Sequence, residues 1–316
     1  MKAFIFPGQG CQKEGMGKVL YDNFPKAKKM FEQANDYFGR RISDVMFEGT
    51  EDELMQTVNT QPAVFLYEVI LATIQDAVKA DVVAGHSLGE FAALVVNKTI
   101  SFEDGLNLVY NRAVIGQKVC EKHKTAMGAV IGLSDEYIAK RIKEIWDETG
   151  EPIYFANYNG PGQVVISGSK KGIRVACKAF MNEGAKKAIP LLISGSFHTP
   201  YMADAEIELG DIIKKTTFSV PVIPVYQCVD GKCHTEPEEI RENLIKHITH
   251  GVQWTSMTRN MARDGVNEFY EIGTDDTLQK IVARMCPNSL VTSIWNYGNV
   301  KQYKICLLYT SPSPRD

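Results

Sequence analysis

Three residues far apart in the chain carry the types and settings that acyl chemistry needs. Ser87 stands in Gly85-His86-Ser87-Leu88-Gly89, a Gly-x-Ser-x-Gly between the apolar run Val82-Val83-Ala84 and a helical stretch reaching about Asn97. A strand that turns sharply into a helix exposes such a hydroxyl, and the glycines permit the turn. The backbone N–H of Leu88 and the positive end of the helix dipole can then hold an oxyanion. Bare matches to this pattern are often mere turns, so the flanking strand and helix are what argue for a nucleophile. Its base must be one of six histidines. His198 lies in Ser196-Phe197-His198-Thr199-Pro200, where Thr199 reads as an N-cap and Pro200 as the first residue of a helix to about Lys215. The dipole there disfavours the imidazolium and leaves a neutral base, the alternative being a surface histidine in a loop. His86 is next to the serine, but strand alternation turns it away, and it reads as a partner that fixes the elbow.

Arg112 sits on a predicted helix from the N-cap Ser101 to about Glu121, amid Leu108, Val109, Ile115, Gly116 and Val119 at three- and four-residue steps. That stripe points the guanidinium inward. A buried guanidinium is costly unless an anion meets it, and its flat fork suits a carboxylate. The anion is either a substrate carboxylate or an internal Asp or Glu. Cys228, Cys233 and His234 form one further cluster, but no fourth ligand follows at a metal-site spacing, and a hairpin around Asp230-Gly231 is the plainer reading.

Positioning these groups requires an α/β layer. Strands are predicted at Ala3 to Phe6, Val82 to Ala84, Val222 to Val229 and Glu268 to Ile272, with helices at Pro62 to Ala80, Pro237 to His250 and Met257 to Asp264. Between them, strands at Met127 to Leu133, Ile153 to Asn157, Gln163 to Ser167 and Ala188 to Ile193 alternate with helices at Asp135 to Asp147 and Lys171 to Glu183. That β-α-β-β-α-β order predicts a ferredoxin-like subdomain over 126–193. It is inserted in a large α/β-hydrolase-like domain with a mostly parallel sheet, spanning 1–125 and 194–300. The tail 306–316 has two Ser-Pro steps and no periodicity, and reads as a disordered or foreign extension.

A length of 316 residues with 44% hydrophobic and 23% charged composition predicts a packed globular core. The net charge of −3 gives no bulk attraction to nucleic acid or an anionic membrane. The N-terminus has too short an apolar run for a signal peptide, and no segment reaches the roughly 18 unbroken apolar residues of a membrane span. Seven cysteines without framework spacing suit a reducing compartment, so the expectation is a cytoplasmic protein.

The residues together resemble one family, the malonyl-CoA:acyl carrier protein transacylases of type II fatty acid synthesis, from Phe6 to about Leu278. The likeness rests on Pro7-Gly8-Gln9-Gly10 with Gln12 and Gly15-Met16-Gly17, Gln61-Pro62-Ala63, Gly85 to Glu90, Arg112, Asn157-x-Asn159 with Pro161-Gly162-Gln163, Ser167-Gly168, Phe197-His198 and Val252-Gln253-Trp254. It implies a ping-pong exchange in which Ser87 is malonylated from malonyl-CoA and then gives the malonyl group to the phosphopantetheine thiol of acyl carrier protein. It further implies His198 as base, Arg112 holding the malonyl carboxylate, the N–H groups of Gln9 and Leu88 as oxyanion hole, and the carbonyl of Gln253 orienting the histidine. Phe197 resembles that of malonyl-preferring members. No metal or other cofactor is implied, and a monomer is. Two departures stand out: Gly273-Thr274-Asp275-Asp276 replaces the family's Gly-Pro-Gly, and Ile115 stands where a methionine is frequent. Six basic residues against one acid between Ser167 and Ala188 suggest a docking surface for the acidic carrier protein on Lys170, Lys171, Arg174 and Lys178. The rival readings are a serine hydrolase that gives the acyl group to water and a silent scaffold that only binds carrier protein.

Overall fold

The computed structural model describes residues 1–76 and 78–294. The predicted tail 306–316 and the end of the predicted large domain, 295–300, lie outside the described residues. Strand β1 (Lys2–Phe6) is followed by four helices for which the sequence reading predicts no element: α1 (Lys18–Asn23), α2 (Pro25–Phe38), α3 (Ile42–Glu48) and α4 (Glu51–Met55). Helix α5 (Thr57–Ile74) starts earlier and ends earlier than predicted, with Pro62 inside it. Proline supplies no N–H to the carbonyl four residues back. Arg40 makes good the loss, its Nη2 donating to the Val58 carbonyl at 3.0 Å.

Strand β2 (Val82–Gly85) leads into α6 (Gly89–Val96), and α7 (Phe102–Lys122) follows with Ser101 Oγ accepting from the Asp104 N–H at 3.0 Å. Then come β3 (Thr125–Ile131), α8 (Asp135–Thr149), β4 (Ile153–Gly160), β5 (Gln163–Ser169), α9 (Lys170–Asn182) and β6 (Lys187–Ser194), in the predicted order. After a short 3-10 turn at Pro200–Met202, the chain continues through α10 (Ala203–Lys215), β7 (Val225–Tyr226), β8 (Cys233–His234), α11 (Pro237–Lys246), α12 (Trp254–Arg263), β9 (Glu268–Ile272), α13 (Thr277–Met285) and β10 (Leu290–Ile294). The predicted strand Val222 to Val229 shrinks to two residues, which pair with β8 in a hairpin across Asp230-Gly231.

The strands form two sheets. The first has the order β10-β9-β1-β2-β7-β8, parallel except for β8. Alternation along β1 sends Phe4 and Phe6 into the core beneath α1 to α7, α10 and α11, and Ala3 and Ile5 into a second core with Trp254, Met257, Met261 and Ile281. The second sheet, β4-β5-β3-β6, is antiparallel. Val130, Val164 and Ile166 pack under α8 and α9, while Met127 and Val165 face the other way. The sheets are tied where the Val252 N–H donates to Ala156 at 2.8 Å and the Tyr158 N–H donates to Val252 at 2.9 Å. Among the described residues no helix is long and apolar enough to cross a membrane.

Candidate active site

At the carboxyl end of β2 the chain must reverse into α6 within three residues, and Ser87 does so with φ at 55°. A side-chain-bearing residue is strained in that left-handed region and persists there only when its surroundings hold it. The glycines supply the room: a Cβ on Gly85 would fall 2.0 Å from the Gly89 carbonyl carbon, and one on Gly89 would fall 2.2 Å from the Phe6 oxygen. Strand, elbow and helix are therefore in backbone contact. Below the elbow, the Cys228 thiol donates to the Gly85 carbonyl at 3.0 Å and accepts from the Ser87 N–H at 3.3 Å. Glu90, fully buried, accepts from the Cys228 N–H at 2.7 Å and from Gln227 at 3.0 Å, which pins the loop after β7 beneath α6.

His198 Nε2 lies 2.6 Å from Ser87 Oγ. This residue too has a positive φ, 66°. Its N–H donates to the Ile248 carbonyl at 2.8 Å, and its ring Nδ1 lies 2.9 Å from the His247 oxygen and 3.2 Å from that of His250. Only a protonated Nδ1 can serve these oxygens, which leaves the lone pair of Nε2 facing the serine. Burial, then the positive charge of Arg112, pushes the imidazole down to about 3. The predicted dipole effect is thus not the cause. Thr199 makes no cap, its hydroxyl donating instead to the Ser196 carbonyl at 2.7 Å.

Arg112 is 2% exposed and extends Nη2 to Ser87 Oγ at 3.2 Å. Its guanidinium lies between the rings of Phe197, at 5.0 Å, and Phe91, at 5.8 Å. Among the described residues no carboxylate forms a salt bridge with it, and its Nε is buried without a partner. Burial pulls it down to about 10, which leaves it charged at neutral pH. The hydroxyl, imidazole and guanidinium open into one cavity of about 260 Å³. Pro7 to Cys11 form one side of it, Met127, Asn157, Val165 and Leu191 of the small sheet the other, with Leu278 and Ile281 of α13 at its edge.

With this geometry in view, the acyl transferase domain family matches residues 3–299. The malonyl CoA-acyl carrier protein transacylase of Bacillus subtilis is 35% identical over 285 residues, covering 90% of each chain. That of Escherichia coli K12 is 37% identical over 286 residues, covering 90% of this chain and 92% of its own. The solved structure of the malonyl CoA-acyl carrier protein transacylase from Coxiella burnetii superposes with a TM-score of 0.91 at 32% identity, over 95% of this chain and 96% of the other. A type II polyketide acyl-carrier protein in complex with its malonyl-transacylase gives the same TM-score and identity, over 96% and 98%. The chain belongs to the malonyl CoA-acyl carrier protein transacylase family.

The positions carried over from the family fare unequally. Gln9 lines the cavity, its side-chain amide 3.5 Å from that of Gln61, and Leu88 is the N-cap residue of α6 directly after the serine. Among the described residues no protein acceptor takes the N–H of either. Gln253 is a correction. The carbonyls that meet His198 belong to His247 and His250, because the segment leaving the end of α11 turns its unpaired oxygens toward the ring. Gln253 instead gives its N–H to the Cys228 carbonyl at 2.8 Å and does not line the cavity. Phe197 lines it, lying on Gly116, where a Cβ would come 2.7 Å from the ring. Ile115 is buried outside the lining. The departing loop is secured by its own side chains: Thr274 Oγ1 donates to the Cys11 carbonyl, and Asp275 accepts from the Thr277 N–H at 3.1 Å.

Asn159 received no role from sequence, yet its Oδ1 lies 2.7 Å from His86 Nε2, and both line the cavity. His86 is thus held, as read, but does not point away. Glu90 was also missed, although an acid in the apolar run Gly89 to Val96 is the signal that singled out Arg112. Cys228, Cys233 and His234 do not converge: Cys228 props the elbow, Cys233 is exposed, and His234 is held by Asp230 and Glu239. Glu90, Cys228 and His247 do bring ligand atoms within 4.8 Å of one another, but the carboxylate and thiol are already engaged. Lys170, Lys171, Arg174 and Lys178 are exposed on α9, across the small sheet from the cavity, and Lys171 pairs with Glu151 at 3.2 Å.

Proposed function

We propose that this chain transfers the malonyl group of malonyl-CoA to the phosphopantetheine thiol of acyl carrier protein through an ester on Ser87, supplying extender units for fatty acid synthesis. The observation that carries the reading is Arg112, a charged guanidinium buried beside the serine that forms no salt bridge with a carboxylate among the described residues. A dicarboxylic acyl group supplies the missing anion and is thereby aimed at Ser87.

The steps follow from the hydrogen bonds. Ser87 Oγ gives its proton to His198 Nε2 and attacks the thioester carbonyl, whose oxygen becomes an anion held by the N–H groups of Gln9 and Leu88. Collapse breaks the C–S bond, and the leaving thiolate takes the proton from Nε2. The carrier thiol then enters, gives its proton to Nε2, and attacks the ester carbonyl. Collapse of this second intermediate breaks the ester bond and returns the proton to Ser87. The carbonyls of His247 and His250 stabilise the imidazolium in both half-reactions. Every step uses a base, an oxyanion site and a fixed cation, so no cofactor is assigned.

The same proposal takes 1–125 and 194–300 as an α/β-hydrolase-like domain and 126–193 as an inserted ferredoxin-like subdomain. The strand order β4-β5-β3-β6 with both helices on one face supports the second part. Action as a monomer in the cytoplasm completes it. Intact-mass measurement after incubation with malonyl-CoA tests the chemistry: Ser87 gains a malonyl mass and the Ser87→Ala protein gains none. An unmodified parent protein refutes transfer, and malonate release that ignores the carrier thiol identifies a hydrolase.

A further inference from the structure

The cavity at Ser87 continues beyond the acyl site. Gln163 and Ile281 line it and also line an adjoining cavity of about 580 Å³. The second cavity is walled by the turns 131–134 and 160–162, by α12 and α13, and by three cations, Lys186, Arg259 and Arg284, with no acid among its lining residues. All three are exposed. None forms a salt bridge among the described residues. Asp135, a carboxylate that feels the charge of Arg259 without forming a salt bridge to it, already accepts from the Gly162 N–H at 3.2 Å. Arg284 is held toward the junction by Nη2 donating to Gln163 Oε1 at 2.5 Å. Lys186 is held by Gly132, whose φ of 100° brings its backbone so close that a Cβ would fall 2.9 Å from the Lys186 nitrogen. Like charges gathered around a hollow repel one another unless an anion arrives between them.

We infer that Lys186, Arg259 and Arg284 form a subsite for the phosphate groups at the far end of the pantetheine thiol that carries the acyl group. The inference rests on the proposed function and names what that site grips. A long thioester lying across Gln163 has its acyl end at Ser87 and its phosphates among the cations. The shared chemistry, a phosphate ester on pantetheine, belongs both to the diphosphate and 3′-phosphate of coenzyme A and to the phosphodiester of a holo carrier protein.

The test is steady-state transfer by the full chain with malonyl-CoA, malonyl-phosphopantetheine and malonyl-pantetheine. In the Arg259→Ala, Arg284→Ala protein, the ratio of kcat/KM for malonyl-CoA to that for malonyl-pantetheine falls about tenfold, as expected when two exposed charges that meet phosphate are removed together. An unchanged ratio overturns the subsite. A second measurement needs no variant: inhibition of the parent protein by coenzyme A weakens with added salt while inhibition by pantetheine does not, and equal salt responses overturn it as well. A rise in KM for holo carrier protein in the double variant assigns the phosphodiester to the same cations, and a rise confined to malonyl-CoA assigns the coenzyme A phosphates. Failure of the function itself is distinct, because the parent protein would then acylate Ser87 from none of the three thioesters.

Discussion

In the proposed complex Arg112 meets the malonyl carboxylate where water cannot screen the pair, so truncating it removes one partner of a desolvated contact. Arg112→Ala should weaken malonyl transfer by about 2 to 5 kcal/mol and acetyl transfer little, measured by competition between the two thioesters. Equal losses would refute the carboxylate role. The same cation, after burial, holds the His198 imidazole down. A lowered value keeps the base neutral to more acidic pH, so the acid limb of kcat/KM should lie well below the ordinary 6.5. In Arg112→Ala, assayed with acetyl-CoA, that limb should move up toward 6.5, because the imidazolium no longer faces a positive neighbour. A stationary limb would count against the coupling. Ser87, His198 and Arg112 were legible because each carries a local signature: an elbow, a pre-helical histidine, a charge in an apolar stripe. The partner of His198 was not, since a backbone carbonyl has no residue identity and any turn between 247 and 253 could have offered one.

The strands that build the elbow were readable from apolar runs and glycines, and β9 has the predicted bounds. Helices α2 and α3 were not, for neither has a polar N-cap: Phe24 and Arg41 stand there without a side-chain cap, and Pro25 and Asp44 alone mark the first turns. Helix α5 shifted because the loss at Pro62 is repaired by Arg40, a contact between segments that no local pattern shows. The same helix buries Glu68 completely with both oxygens unpartnered. Burial, then Glu271 and Asp275, raises this carboxyl well above 4.5. A raised value in the folded state means that its contribution is intact below 4.5 and is lost as pH rises through the folded value. Glu68→Met should therefore stabilise the protein by about 1 to 3 kcal/mol, the cost of an unpartnered buried polar group, and the gain should grow with pH. Thermal melts of both proteins across a pH series check this, and a lower melting temperature for the variant would show that Glu68 has a stabilising role.

At the scale of the molecule, the cleft is assembled from loops after β1 and β2, the middle of α7, the inner face of the small sheet and the first turns of α13. The alternation of strands and helices announced both layers, but not how they face each other, which depends on the backbone ties at Val252. For the same reason the grouping of Lys186 with Arg259 and Arg284 escaped notice, although Lys186 was counted among the basic residues between Ser167 and Ala188. Reversing Arg174 and Lys178 to Glu separates the two surfaces: docking on α9 predicts a several-fold higher KM for carrier protein with malonyl-CoA kinetics intact. Unchanged carrier kinetics would remove α9 from the interface. The narrowness of the hollow over Ser87, about 260 Å³, has a further effect on traffic. In the proposed two-step exchange donor and acceptor thiols use this one hollow in turn, so the donor departs before the acceptor arrives. Spent coenzyme A is then a rival for the doorway: it should raise the apparent KM for holo carrier protein without lowering the limiting rate, and throughput in a cell would follow the proportion of the two visitors rather than the abundance of either.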